Sequence, residues 1–142
     1  MNLVIRQYKD SDKEQVINLW IKCDLIRPWN DPYKDISRKK GTGSDLFIIL
    51  EYNNTIVGTV MGGYDGHRGI MNYLAVHPNF QRNGYGAMLV NEIEKKLLEM
   101  GCPKINLLVR KDNDKVGKFY QKIDYNNQTD VLLFSKRLIP DD

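Results

Sequence analysis

Between Ile70 and Val109 the chain reads as strand, glycine-bearing loop, long amphipathic helix and strand, an order that leaves few options for the fold. Residues 70–76 carry a strand signal that Pro78 closes. From residue 84 to 100 the apolar positions Met88, Leu89, Ile93, Leu97 and Met100 recur at three- and four-residue steps, and Gly101 and Pro103 stop the helix. Residues 105–109 then read as a second strand. A strand that returns through one helix comes back parallel, by a right-handed crossover. The two strands are therefore expected side by side, with the connecting loop at the carboxyl end of the first.

The flanking sequence supplies hairpins instead of crossovers. Residues 46–52 and 55–64 are rich in Ile, Val, Phe, Thr and Tyr, with Asn53-Asn54 between them suited to a tight turn. Gly66-His67-Arg68-Gly69 makes the next turn into the strand at 70–76. Upstream, Leu3-Val4-Ile5 is a short strand, and Ser11 with Glu14 predicts a capped helix start. Val16, Ile17, Leu19, Trp20 and Cys23 give that helix an apolar stripe. Asp31-Pro32 predicts a second short helix ending by Gly41. Downstream, residues 113–123 read as helix, and 125–128 and 131–136 as two last strands. The fold class is α/β with a mixed sheet, mostly antiparallel with one parallel pair. At 142 residues, with no linker or repeat, it is expected to form a single domain over 1–142.

Composition excludes several classes. With 42% hydrophobic and 27% charged residues, the chain is neither disordered nor membrane-embedded. No apolar stretch resembles a transmembrane span or secretory signal, so a cytoplasmic location is expected. A net charge of +3 lacks the clustering that nucleic acid requires, but suits an anionic ligand. Cys23 and Cys102 lie far apart with no His or Cys at ligand spacing, so no metal site is expected and free thiols are.

The loop Gln81-Arg82-Asn83-Gly84-Tyr85-Gly86 is the chemically informative segment. The first N–H groups of a helix have no internal acceptor and carry a partial positive charge, so a phosphate there is held by several hydrogen bonds. Gly84 and Gly86 let it come close, and Arg82 adds a cation. The alternative is an ordinary glycine turn. Leu89 stands where a dinucleotide fingerprint has its third glycine, and no Gly-Lys-Ser/Thr follows, so nucleotide motifs fit less well.

That loop resembles the Gln/Arg-x-x-Gly-x-Gly/Ala pyrophosphate loop of the GNAT acetyltransferases. Leu74-Ala75-Val76-His77-Pro78 resembles the strand end preceding it, and Asn113 with Phe119-Tyr120 resembles the family's last helix. Arg27-Pro28-Trp29-Asn30-Asp31-Pro32 and the stretch 58–68 are similar to those of the bacterial YpeA group. The resemblance implies a GNAT fold whose parallel pair splays around acetyl-coenzyme A, and transfer of acetyl to a primary amine, small molecule or peptide, by direct attack. It implies main-chain amides of Arg82, Asn83, Gly84, Tyr85, Gly86 and Ala87 on the pyrophosphate, and backbone of Leu74, Ala75 and Val76 along the pantetheine.

In the same way, Tyr120 is implied as general acid for the departing thiolate; the alternative is a core aromatic. Asn113 is implied to touch the pantetheine, or to cap its helix. Asp65 and His67 are candidates for the base at the acceptor pocket, with turn or surface roles as the alternative; Arg27, Trp29 and Tyr64 are candidate substrate contacts. Relatives that acetylate protein termini carry Glu where this chain has Leu108. A monomer or homodimer is implied, and a non-catalytic acyl-coenzyme A-binding regulator is the competing function.

Overall fold

The structure, a computed structural model, describes residues 2–140. Backbone contacts gather them into two compact units, one running to Leu107 and the other Leu108–Pro140. The first holds strands β1 (Leu3–Gln7), β2 (Phe47–Tyr52), β3 (Thr55–Tyr64), β4 (Gly69–Val76) and β5 (Ile105–Leu107), with helices α1 (Lys13–Lys22), α2 (Pro32–Lys39) and α3 (Tyr85–Glu99). The second holds α4 (Asp114–Lys122).

The sheet order is β1-β2-β3-β4-β5. The first three pairings are antiparallel. β4 and β5 are parallel through Gly69↔Ile105, Ile70↔Asn106 and Met71↔Leu107, the crossover expected from the sequence. Asn53 (φ 49°) and Asn54 (φ 67°) are both left-handed, as a two-residue turn between twisted strands demands. Asp31 caps α2 by accepting from the Tyr33 and Lys34 amides at 2.9 and 3.4 Å, with Pro32 in the first turn.

The faces of the sheet are covered differently. On one side Val16, Ile17, Leu19 and Trp20 of α1 and Ile36 of α2 pack against Phe47, Ile49, Met61 and Ala75. On the other, α3 buries Leu89, Val90, Ile93 and Leu97, and Gly58 and Gly62 let it approach β3. A Cβ on Gly58 would lie 2.9 Å from the Leu89 Cδ1 and 3.2 Å from the Ala75 carbonyl oxygen. Met88 and Met100, expected on the apolar stripe, are 37% and 49% exposed: Val90 takes the inward place instead of Met88, and Met100 is the C-cap residue beyond the last turn.

Two expectations are corrected. The Ser11 cap does not form: a 3-10 turn over Asp10–Asp12 precedes α1, and the Asp12 carboxylate accepts from the Lys9 amide at 2.9 Å. Arg6 of β1 donates two further hydrogen bonds to that carboxylate, at 2.8 and 2.9 Å, and also binds Glu51 of β2. Nor are residues 125–128 and 131–136 strands. Both follow α4 within the second unit, which holds no strand among the described residues, and β propensity without a neighbour to complete the ladder makes none. Leu132 and Phe134 are 84% and 88% exposed.

Two outcomes follow from this packing. Gly58→Ala forces the Ala75 backbone to move and should cost about 1–3 kcal/mol, read as a lower urea midpoint with unchanged slope. Burial raises the pKa of Asp12, but the Arg6 and Lys9 hydrogen bonds outweigh it and leave the folded-state value below the ordinary one. The stability it contributes is therefore full above the unfolded-state pKa and lost as pH falls through the lower folded value, so Asp12→Asn should flatten the acid limb of a stability profile.

Candidate active site

Two features converge at the carboxyl end of β4. The parallel ladder stops at Met71↔Leu107, so among the described residues no strand pairs with Asn72–Val76 on the side away from β3. The His77 amide donates to the Val57 carbonyl of β3 at 2.8 Å. Amides alternate in direction along a strand, so those of Val76 and Leu74 turn to the open edge and that of Ala75 turns to β3.

The second feature is the start of α3. Gly84 is the left-handed N-cap (φ 80°) and brings no side chain to the helix end, and the first helical bond runs from the Met88 amide to the Gly84 carbonyl at 3.0 Å. The amides of Tyr85, Gly86 and Ala87 are thus the uncapped donors of the first turn. Arg82 is also left-handed (φ 68°) and exposed. Gln81 Nε2 donates to the Val76 carbonyl at 3.0 Å and Asn83 Nδ2 to the Phe80 carbonyl at 3.0 Å, fixing the loop to the end of β4. The His77 ring accepts from the Asn79 amide, a strand-end role.

Other expected residues stand elsewhere. Tyr64, Asp65 and His67 occupy the β3–β4 turn, at the opposite end of β4 from the loop, about 23 Å away along an extended strand. The Asp65 carboxylate accepts from the His67 and Arg68 amides, each at 2.7 Å, and these hydrogen bonds hold its pKa low. It is a turn-forming residue, and the Tyr64 hydroxyl donates to the Gly66 carbonyl at 3.3 Å. Arg27 folds back onto the carbonyl of Asp24 at 2.7 Å, and Trp29 is 48% exposed in the loop before α2.

In the second unit Asn113 caps α4, accepting from the Val116 amide at 3.3 Å. Tyr120 is buried, with its ring edge-on to Phe119 and Tyr125, and burial pushes its pKa up to about 12. Both cysteines are free thiols; Cys102 is buried and Cys23 half-buried, its Sγ 3.3 Å from the Val76 carbonyl oxygen. Among the described residues no cluster of three metal-ligating side chains occurs, and no helix is long and apolar enough to cross a membrane.

The sequence did not disclose one feature of β4. Met61 pairs with Asn72 and Thr59 with Ala75, so Tyr73 and Leu74 together face Val60 across a bulge. The extra residue is Tyr73 (φ 52°), turned onto the α1 face. Its ring stacks on Trp20 at 3.8 Å, and its hydroxyl donates to Asp35 Oδ2 of α2 at 2.5 Å. Thr59 joins the group, accepting from Trp20 Nε1 and donating to the Tyr73 carbonyl, each at 2.9 Å. A glycine would have marked the left-handed position; tyrosine there left no local signal.

Residues 13–125 match the model of the acetyltransferase (GNAT) family. An acetyltransferase of Sodalis glossinidius is 53% identical over 137 residues, covering 96% of each chain. An aminoglycoside N-acetyltransferase crystallised with coenzyme A has a similar fold, with a TM-score of 0.76 at 16% identity over 96% of this chain and 95% of that one. A predicted acetyltransferase of Clostridium acetobutylicum with acetyl-coenzyme A bound gives 0.72 at 17% identity over 94% and 96%. With an uncapped helix start beside an open strand edge, and a family model that spans most of its length, the chain belongs to the GNAT acetyltransferases.

Proposed function

We propose that the protein transfers the acetyl group of acetyl-coenzyme A to a primary amine by direct attack in a ternary complex. The observation that carries this reading is the open edge of β4 ending at the uncapped start of α3. The two solved structures of similar fold hold coenzyme A or its acetyl thioester, a ligand with a diphosphate at one end and an amide-bearing arm at the other. Amides of Tyr85, Gly86 and Ala87 fit the diphosphate, with Arg82 adding charge. The outward amides of Leu74 and Val76 fit the arm and the thioester oxygen, one each. A donor aimed at that oxygen, where negative charge grows as the amine attacks, contributes about 3 kcal/mol.

The amine nitrogen forms its bond to the carbonyl carbon and releases its remaining extra proton to water, the carbon–sulfur bond breaks, and the thiolate takes up a proton from a donor that water then reprotonates. Tyr120 is the proposed donor. With its pKa near 12 the phenol holds its proton at neutral pH. Transfer to a water-exposed thiolate, with an ordinary thiol pKa of about 8.5, is uphill by about 5 kcal/mol. Dry surroundings raise a thiol in the same sense, which narrows that gap. Asn113 keeps its cap role through Oδ1, and its side-chain NH2 is proposed to meet the pantetheine arm.

The protein is proposed to work in the cytoplasm. Its acceptor is best sought by free thiol release from acetyl-coenzyme A against polyamines, amino acids, aminoglycosides and peptides. Release above the hydrolytic background with one amine class is the expected result; saturable coenzyme A binding without release from any amine would instead identify an acyl-coenzyme A-binding regulator. Arg82→Ala should weaken coenzyme A about tenfold by calorimetry, the loss of one exposed charge-assisted contact. Tyr120→Phe should leave that affinity unchanged and lower kcat about 100-fold.

A further inference from the structure

The proposed reaction lacks a proton acceptor. A primary amine is mostly ammonium at neutral pH and cannot attack until it is deprotonated. Asp65 and His67 lie at the wrong end of β4 for this task, and Asp65 already accepts two backbone hydrogen bonds. The bulge supplies a different candidate.

Tyr73 directly precedes Leu74, whose amide faces the open edge of β4. Because the bulge adds one residue, the Tyr73 side chain lies on the face of the sheet covered by α1 and α2, opposite α3. The diphosphate is assigned to the start of α3, so an amine that approaches the thioester from the other face meets Tyr73. The ring is fixed there by Trp20 beneath it, and Asp35 accepts the hydroxyl proton at 2.5 Å. Asn30 Nδ2 donates to the same carboxylate oxygen at 3.1 Å, and Arg38 stands 3.7 Å from the other. The Asp35 side chain keeps 21% exposure, enough for exchange of a proton with water. A left-handed tyrosine is strained, and strain of this kind persists where the surroundings fix it for use.

We infer that the Tyr73 hydroxyl, backed by Asp35, accepts the proton of the incoming ammonium. The ammonium N–H proton passes to the phenol oxygen as the phenol proton passes to Asp35 Oδ2. The free amine then attacks, and Asp35 returns the proton to water between turnovers. Asn30 and Arg38 hold the carboxylate in place, and Trp20 holds the ring. Tyr73 touches the reacting nitrogen, whereas Asp35 acts through it. The inference rests on the transferase reading above.

The test uses two probe amines with saturating acetyl-coenzyme A, read as thiol release. n-Butylamine is protonated at neutral pH, while trifluoroethylamine is largely free base. Tyr73→Phe keeps the ring on Trp20 and removes only the hydroxyl. It should slow n-butylamine by about 100-fold and trifluoroethylamine by less than about threefold, with the n-butylamine loss shrinking as pH rises. Asp35→Asn should give the same pattern, and it decides the matter if thermal melting shows Tyr73→Phe to be unfolded. Equal losses with both amines, or none, would mean that the pair merely ties α2 to β4, and would overturn the inference. A wild-type protein that binds coenzyme A but acetylates neither probe would overturn it too, leaving the transferase reading to the wider amine screen. Failure to bind coenzyme A would sink that reading itself.

Discussion

The early end of the β4–β5 ladder is the constraint on which the rest of the arrangement depends. Parallel strands joined through a helix normally continue side by side until a turn intervenes. Here three residue pairs form and the pairing stops. Backbone donors in a sheet interior are otherwise consumed by neighbours, and an extended strand edge invites another extended chain. By ending at Met71, the ladder leaves such an edge beside the start of the crossover helix, while the antiparallel side of β4 stays anchored to β3. A rigid support and an edge with no strand neighbour among the described residues thus belong to the same strand.

The position of α3 depends equally on what is missing from β3. Gly58 and Gly62 remove side chains beneath Leu89 and Ile93, so the helix settles directly onto the sheet. Its start is then fixed by packing, and the Gln81 side chain ties the incoming loop to the end of β4. On the opposite face Trp20, Thr59 and Tyr73 form a continuous hydrogen-bonded and stacked group that joins α1, β3 and the bulge. Aromatic stacking with a satisfied indole N–H gives that layer defined geometry as well as buried area.

How much of this could be read from the sequence varied with the range of the signal. The Asn53-Asn54 turn, the Asp31-Pro32 start of α2, the crossover and the glycine loop were legible, because each is set by residues close together in the chain. The bulge was not, since it is a register mismatch between β3 and β4, and Tyr73 carries no mark of a left-handed backbone. The role of Asp35 depended on that same bulge. Asp65 looked functional as a polar residue at a strand end, but two short backbone hydrogen bonds explain it. Residues 125–128 and 131–136 form no strands for a thermodynamic reason: Val131, Leu132, Leu133 and Phe134 have the propensity, and propensity does not supply a partner.

One detail at the end of β4 restricts the polarity of whatever lies along it. The Val76 carbonyl oxygen receives both Gln81 Nε2 and the Cys23 thiol, so its two lone pairs are in use. At that residue only the amide is left to greet a visitor. An arm docking there must present an oxygen to Val76, and one that arrives with an N–H in the same place meets an acceptor that is already saturated. The strand end therefore reads the direction of an amide as well as its presence, and threading the arm in reverse would leave a polar pair unmatched.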